Sequence, residues 1–198
     1  MDRFYFAIEY LPANVDVSLL AGRCINILHG FVCQNESTSI GVSFPGWSDQ
    51  TLGRSIAFVS HSFCDLSNLA GQKYFRLMSS DGVFRSSEVK PVPAFCNEIK
   101  FVRNQRIAKC FAGEKRRRLA RAKRRAEERG DLFEPKALVS HQSLCLFHRV
   151  MASSKSTNEQ FILHIQKGEG TFVQSDNYNN YGFASNVEYE GTVPDLSI

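Results

Sequence analysis

Apolar and polar positions near the start of the chain follow the two-residue period of β-strands, interrupted by one longer helical stretch. Residues 4–11 (FYFAIEYL) are rich in aromatic and β-favouring residues and predict a strand. After a turn, apolar residues return at helical spacing, and Asn14 or Asp16 can cap the helix that they predict. We expect this helix to end near Leu28, because Gly30 is a typical C-terminal stop.

The alternation continues through the next fifty residues. Residues 39–44 and 54–60 predict a second and a third strand, and residues 62–69 predict a short helix. Residues 74–78 and the segment 83–89 predict a last strand or hairpin. The resulting order, β-α-β-β-α-β, is that of ferredoxin-like domains. Many RNA-binding domains use this topology, but so do unrelated proteins, so the order alone does not define a function.

Pro91 and Pro93 predict a boundary between two domains of an α+β protein. The chain has 198 residues, which suits one compact domain or two small ones. We predict a ferredoxin-like (RRM-like) domain at residues 1–92 and a smaller C-terminal domain at residues 93–198. The second domain would contain an arginine-rich helix at about residues 112–129, closed by Gly130, and short strands. The strands are expected at residues 99–107, 144–150, 160–165 and 170–174, followed by a tail that is mostly loop.

Residues 114–129 (EKRRRLARAKRRAEER) are the most highly charged stretch, with nine Lys or Arg among sixteen residues. At roughly 100° per residue, five arginines of this helix fall within an arc of about 120°. Leu119, Ala122 and Ala126 fall on the opposite side, so that face can lie on the protein while the arginines point away. The five arginines are Arg117, Arg118, Arg121, Arg124 and Arg125.

The positive charge of the protein is concentrated in this one segment. Residues 100–136 hold fourteen basic and five acidic residues. By contrast, residues 1–99 hold seven basic and nine acidic residues, and residues 137–198 hold three basic and six acidic residues. Like charges at helical spacing repel each other, and a polyanion across the arginine face relieves the repulsion. Because few acids interleave with these arginines, we interpret the face as a nucleic-acid-binding surface rather than a solvated helix.

The cysteine pattern and the hydropathy indicate a cytoplasmic protein without a metal site. The six cysteines are widely spaced, with no C-x-x-C pair and no histidine at zinc-ligand spacing. We expect them to be reduced and buried as small apolar residues. The N-terminal apolar run is too short for a secretory signal, and we find no apolar stretch long enough to predict a membrane span.

RNA can be cut without a metal when a base takes the proton of a 2′-hydroxyl, which then attacks the adjacent phosphorus. The chain has five histidines, and a lone histidine is more often structural than catalytic. His29 is the strongest candidate base, since the expected last turn of its helix lies at the edge of the sheet. The polar loop before residues 160–165 offers Ser153, Ser154 and Ser156, and the C-terminal tail offers Tyr178 and Tyr181. On residue type alone, these serines and tyrosines favour loop and packing roles.

Together these segments resemble a known family, the CRISPR-RNA processing endoribonucleases of type I-F systems, including transposon-associated members. The likeness covers nearly the whole chain. It rests on the order and spacing of five short pieces. They are LHG at residues 28–30, IGVSFP at residues 40–45, the arginine helix, the S-x-S-T…F strand entry at residues 154–161, and YGF at residues 181–183.

The resemblance implies a role for particular residues of this chain. His29 corresponds to the catalytic histidine, Ser154 to the serine that holds the attacking ribose, and Tyr181 to a tyrosine beside the histidine. Ser153 adjoins Ser154, so the serine register can shift; Ser156 is the next candidate, and Tyr178 competes with Tyr181. Phe161 corresponds to an aromatic ring that stacks under the last base pair. Arg103 and Gln105 correspond to a pair that recognises purine edges.

The resemblance also implies the reaction and the partners. The arginine helix would enter the major groove of a CRISPR-repeat hairpin near the end of its stem, although deep A-form grooves normally exclude side chains. The enzyme would cut 3′ of the stem without metal or cofactor. It would then stay on the 3′ hairpin with the other subunits of a type I-F surveillance complex, or with transposition proteins. The alternatives are a non-catalytic subunit that binds the RNA hairpin and a protein that binds duplex DNA.

Overall fold

The computed structural model describes residues 2–35, 39–133, 145–153, 159–170, 173–185 and 188–196. Their elements form two antiparallel sheets with helices on an α+β plan, as predicted. The first sheet has the strand order β2-β3-β1-β4, with β5 beside β1. This is the order expected of a ferredoxin-like sheet. Its strands are β1 (Phe4–Tyr10), β2 (Gly41–Ser43), β3 (Ser55–Ser60), β4 (Phe84–Ser86) and β5 (Lys90–Pro91).

Helix α1 (Val17–Gln34) crosses one face of this sheet. It begins as predicted, with the Asp16 side chain accepting a hydrogen bond from the Leu19 amide at 3.0 Å. Its predicted end was wrong, because the helix runs through Gly30 and continues to Gln34. Buried Phe31 extends the apolar face beyond the glycine, and this tertiary contact offsets the low helix propensity of Gly30. His29 therefore lies more than a full turn before the helix end.

Two short helices follow β3 where one was expected. Helix α2 (Phe63–Ala70) lies close to the predicted helix at residues 62–69, and the Ser62 side chain caps it. Helix α3 (Lys73–Ser80) occupies residues 74–78, for which a strand was the wrong prediction. Phe75 is buried against Phe6 and Phe58, so one side of this segment faces the core at helical spacing. The segment is too short for its period to be distinguished from a strand by sequence alone.

The second sheet has the strand order β7-β8-β6-β9. Its strands are β6 (Glu98–Arg103), β7 (His148–Ser153), β8 (Gln160–Gly168) and β9 (Val193–Pro194). A 3₁₀ turn at Ile107–Cys110 and helix α4 (Ala112–Arg129) follow β6, and Gly130 ends α4 with a φ of 75°. Strand β9 lies in the tail that was expected to be loop. The strand expected at residues 170–174 does not form in the described residues of that range.

The two sheets share one hydrophobic core. Phe44 at the end of β2 meets Phe101 of β6 edge to face, with ring centroids 5.2 Å apart. Helix α1 also packs directly on β7, because Gly22 leaves room for the Met151 carbonyl. A Cβ atom at residue 22 would overlap that carbonyl. The division at residues 92 and 93 stays a prediction, since residues from both sides of it pack together.

The structure corrects the expectation that all cysteines are buried. Cys24 is fully buried, whereas Cys33, Cys64 and Cys145 are exposed, and all six cysteines are free thiols. Among the residues that the structure describes, one helix, Val17–Gln34, has the length and hydropathy of a membrane span. This helix is α1, and much of its apolar face is buried in the core.

Candidate active site

His29 lies half-buried on α1, and a backbone carbonyl holds its ring. Its Nδ1 atom is 3.2 Å from the carbonyl oxygen of Asn180. A carbonyl oxygen can only accept, so Nδ1 must carry the proton in this contact. In the neutral ring the lone pair then resides on Nε2, which is the atom able to take a proton from a substrate.

An aromatic and cationic stack surrounds the histidine. The Tyr181 ring lies parallel to the His29 ring, with centroids 4.2 Å apart and an interplanar angle of 6°. The Arg103 guanidinium carbon lies over the Tyr181 ring at 4.7 Å, and Phe161 meets that ring edge to face at 6.1 Å. The structure therefore brings together four residues singled out in the sequence, from α1, β6, β8 and the C-terminal loop.

The turn at residues 179–183 fixes Tyr181. The Asn179 side-chain oxygen accepts hydrogen bonds from the Tyr181 amide at 2.9 Å and the Phe183 amide at 3.4 Å. Gly182 has a φ of 79°, a conformation that favours glycine. Its carbonyl accepts from the Val42 amide at 2.9 Å, which ties the turn to β2. The short sequence NNYGF thus contains its own turn chemistry.

Strand β6 places Arg103 against the loop that carries Tyr181. The Arg103 amide donates to the Ala184 carbonyl at 2.9 Å, which fixes the spacing between strand and loop. Burial lowers the pKa of the Arg103 guanidinium, while the nearby Tyr181 phenol opposes the shift. The Nε atom of Arg103 is buried and has no hydrogen-bond partner among the described residues. Gln105, two residues further on, is exposed at the tip of the turn.

Three polar neighbours of His29 were not predicted. The Cys33 sulfur lies 3.7 Å from Nδ1 and 3.8 Å from Nε2 of the imidazole. Asn180 supplies the carbonyl described above. Asn26, one turn before His29, donates through Nδ2 to the Ser153 hydroxyl at 3.1 Å. Helical spacing could have identified Cys33 and Asn26, because residues three or four apart share a face.

The competing serines and tyrosines have different positions. Ser154 and Ser156 lie outside the described residues. Ser153 ends β7 and is bound to α1 by Asn26, so β7 ends beside the helix face that carries His29. Tyr178 packs against Gly41 and donates its hydroxyl to the Thr192 carbonyl. Burial raises the pKa of Tyr178 well above its usual value. These contacts fit a packing role for Tyr178, while Tyr181 is the tyrosine in contact with the histidine.

Helix α4 presents its arginines to solvent, as expected. All five arginines of the arc are exposed: Arg117, Arg118, Arg121, Arg124 and Arg125. The opposite face covers the protein less than predicted, because Ala126 is buried but Leu119 and Ala122 are exposed. Lys123–Glu127 and Arg124–Glu128 ion pairs join neighbouring turns at 3.8 and 3.6 Å. The helix thus keeps a large positive surface available to a polyanion.

An aromatic cluster anchors the start of α4 to the second sheet. Phe111, which precedes the helix, stacks on His164 of β8 with ring centroids 5.5 Å apart. Phe147 meets the same imidazole at 5.6 Å, and the Arg149 guanidinium lies over Phe111 at 4.7 Å. Burial and, to a lesser extent, Arg149 lower the pKa of His164. Within the described ranges, His, Cys, Asp and Glu form no group of three that could hold a metal.

An α+β fold, an exposed arginine helix, and a histidine held by a backbone carbonyl and a stacked tyrosine fit the class of RNA-processing endoribonucleases. The family model of the CRISPR-associated protein Cas_Csy4 matches residues 5–196. The chain therefore belongs to this family, and it is an endoribonuclease that processes CRISPR repeat RNA.

Other comparisons add little to this assignment. No curated protein matches the chain. A solved structure described as "CRISPR associated protein Cas6" is 11% identical over 98% of each chain, with a TM-score of 0.30. That score is too low to establish a shared fold, so the assignment rests on the family match.

Proposed function

We propose that this endoribonuclease cuts the CRISPR repeat just 3′ of its stem-loop, without metal, by attack of the 2′-hydroxyl. The observation that carries the proposal is the placement of His29, with Nδ1 committed to the Asn180 carbonyl and Tyr181 stacked on the ring. This arrangement leaves Nε2 as the proton acceptor and restricts rotation of the imidazole. Both properties are what a general base requires.

In the proposed reaction, His29 Nε2 takes the proton of the 2′-hydroxyl that precedes the cut. The 2′-oxygen then forms a bond to the adjacent phosphorus, and the bond from phosphorus to the 5′-oxygen of the next nucleotide breaks. The departing 5′-oxygen takes up a proton, which the imidazolium can supply. The products are a 2′,3′-cyclic phosphate and a 5′-hydroxyl. Ser154, or Ser156 if the register differs, would orient the attacking ribose.

Substrate placement depends on the arginine helix and the stack beside it. The arginines of α4 would bind phosphates along the major groove of the hairpin, which makes binding depend on salt. Phe161 would stack under the last base pair of the stem. Arg103 and Gln105 would recognise purine edges.

We further propose that the protein keeps its product. Tight binding of the 3′ hairpin would make the enzyme nearly single-turnover and would leave it as a subunit of a cytoplasmic type I-F surveillance complex. In a transposon-associated system the same subunit would meet transposition proteins. A CRISPR repeat that lies beside the gene, is palindromic and forms a short stem would agree with this assignment.

Product analysis tests the chemistry. We expect a repeat hairpin to be cut in excess EDTA to a 2′,3′-cyclic phosphate, and a hairpin with one 2′-deoxyribose before the cut to be bound but not cleaved. Cleavage of the deoxy hairpin would exclude attack by the 2′-hydroxyl. Tight binding without any cleavage, in EDTA or in Mg²⁺, would instead favour a non-catalytic hairpin-binding subunit.

A further inference from the structure

A polar cavity of about 370 Å³ adjoins the His29 cluster, by which we mean the stack of His29, Tyr181, Arg103 and Phe161. It lies between the turn after β6 and the C-terminal loop, and we call it the Tyr189 cavity after one of its walls. Asn179 and Arg103 connect it to the cluster. Asn179 lines the cavity one residue before the carbonyl that binds His29, and Arg103 lines it while lying over Tyr181.

The lining of the Tyr189 cavity suits a single nucleotide. Arg103, Arg106 and Lys109 supply three cations against the one carboxylate of Glu188, so the cavity favours a phosphate. Tyr189 offers an aromatic ring, on which any base can stack. The volume is at the small end of the range of roughly 300–1,000 Å³ for ligand pockets, so it would admit one nucleotide rather than a duplex.

A second cavity shows where along an RNA strand this nucleotide would lie. It measures about 380 Å³ and shares Arg103, Gln105 and Lys109 with the Tyr189 cavity, but its other walls include Phe161 and Ile162. We call it the Phe161 cavity. Under the proposed function, Phe161 marks the end of the stem, so the Phe161 cavity lies on the stem side of the cut. The Tyr189 cavity is walled by the C-terminal loop instead of Phe161, which makes it the candidate place for the departing strand.

We propose that the Tyr189 cavity binds the first nucleotide 3′ of the cut, which the enzyme releases with its 5′-hydroxyl. Tyr189 stacks on the base, and Arg106 and Lys109 pair with the phosphate that follows it. Binding this nucleotide aligns the breaking bond with the attacking 2′-oxygen, which favours in-line displacement. This inference rests on the proposed function and adds a site for the leaving group to it.

Uncleavable hairpins test the inference by binding alone. Three hairpins carry a 2′-deoxyribose before the cut: one stops there, one continues with a complete nucleotide and its 3′-phosphate, and one continues with an abasic nucleotide and its 3′-phosphate. We expect the wild type to bind the complete extension about tenfold more tightly than the truncated hairpin, and the abasic one at an intermediate level. Tyr189→Leu should remove the difference in affinity between the hairpin with the complete nucleotide and the hairpin with the abasic one. Tyr189→Phe should keep this difference.

Replacing a basic residue of the Tyr189 cavity is a second test of the inference. Arg106→Gln, at a residue that lines the Tyr189 cavity but not the Phe161 cavity, should reduce the advantage of both extended hairpins but leave the truncated hairpin bound as before. Lys73→Gln, on the distant helix α3, is the control for loss of charge. Equal binding of all three hairpins by the wild type would overturn the inference, as would a Tyr189→Leu variant that weakens all three equally. Cleavage of unmodified RNA, measured in parallel, reports on the proposed function independently.

Discussion

A single carbonyl oxygen decides which nitrogen of His29 can act as a base. That oxygen belongs to the backbone of Asn180, whose side chain separately donates to the Cys33 sulfur at 3.8 Å. The turn that presents the carbonyl depends on the Asn179 side chain and on the positive φ of Gly182. At the residue scale, the proposed general base therefore depends on loop geometry as much as on the histidine itself.

His164 gives a pH-dependent contribution to stability. Burial lowers its pKa below the ordinary value of 6.5, so the folded protein binds this proton less tightly than the unfolded chain. Stability from this residue is complete above pH 6.5 and is lost as the pH falls from there toward the lowered pKa. We expect His164→Gln, which cannot gain the charge, to lack this part of the acid destabilisation.

Thermal unfolding between pH 8 and pH 5 measures the difference. The melting temperature of the wild type should fall more steeply below pH 6.5 than that of His164→Gln. Parallel curves for the two proteins would show that His164 does not titrate differently in the folded and unfolded states.

Helix α1 is the platform of the candidate site at the scale of elements. Asn26, His29 and Cys33 follow each other along one side of the helix, facing the end of β7 and the C-terminal loop. The opposite side is buried in the core, so the helix cannot turn without breaking apolar contacts. Its close approach to β7 depends on the missing side chain of Gly22.

We expect Gly22→Ala to destabilise the protein by roughly 2–4 kcal/mol. The added methyl group would overlap the Met151 carbonyl, and backbone cannot rotate away as a side chain can. Chemical denaturation measures the free energy of unfolding. Gly113→Ala in α4, where nothing lies within 4 Å of the added group, is the control and should change stability by no more than about 1 kcal/mol. Equal effects at both glycines would contradict the packing of α1 on β7.

Salt dependence tests the role of α4. Replacing Arg118 and Arg125 with Gln should reduce the slope of log affinity against log salt by about 2, since each phosphate contact contributes about 1. Hairpin binding at several salt concentrations gives the slope. Lys73→Gln with Arg76→Gln on α3 removes the same charge elsewhere and should leave the slope nearly unchanged. A similar reduction in both double variants would mean that net charge, rather than the helix, controls binding.

The sequence predicted those elements whose local signals agree with their packing. Helix α4 was located within its observed bounds because strong helix formers, a charge pattern and Gly130 all mark the same segment. The end of α1 was missed because buried Phe31 outweighs Gly30, and α3 was mistaken for a strand because its apolar run is short. These misses have one cause, since tertiary contacts override local propensity where the local signal is weak.

At the scale of the whole molecule, the candidate site forms where the two sheets meet. His29 belongs to a helix of the first sheet, whereas Phe161 and Arg103 belong to strands of the second. The resemblance to a family could nominate these residues, but nothing in their spacing along the chain predicts the stack that they form. Asn180 could not be nominated at all, because its contribution is a backbone carbonyl.

A buried ion pair joins the two sheets. Arg3, at the start of β1, binds the Glu98 carboxylate of β6 and donates to the Thr192 carbonyl at 2.9 Å. Both side chains of the pair are almost fully buried, so Arg3→Leu would leave an unpaired carboxylate in the core. We expect a loss of about 3–5 kcal/mol in the free energy of unfolding.

The exposed pair Arg85–Glu9 is the natural control for this prediction. Both of its side chains are largely in solvent, so Arg85→Leu should cost about 1 kcal/mol or less. Denaturant titration of both variants gives the comparison. A mild effect of Arg3→Leu would mean that the Arg3–Glu98 pair does not connect the sheets as described.

The proposed role of His29 as the general base is tested by single-turnover cleavage of a repeat hairpin by His29→Ala, with the affinity measured on the same RNA. We expect the cleavage rate to fall by a factor of about 10² to 10⁴, since the general base is lost, while affinity changes little. His61→Ala, which removes an imidazole bound to Asp2 and Asp176, should cleave at the wild-type rate. Cleavage by His29→Ala at the wild-type rate would show that His29 is not the general base.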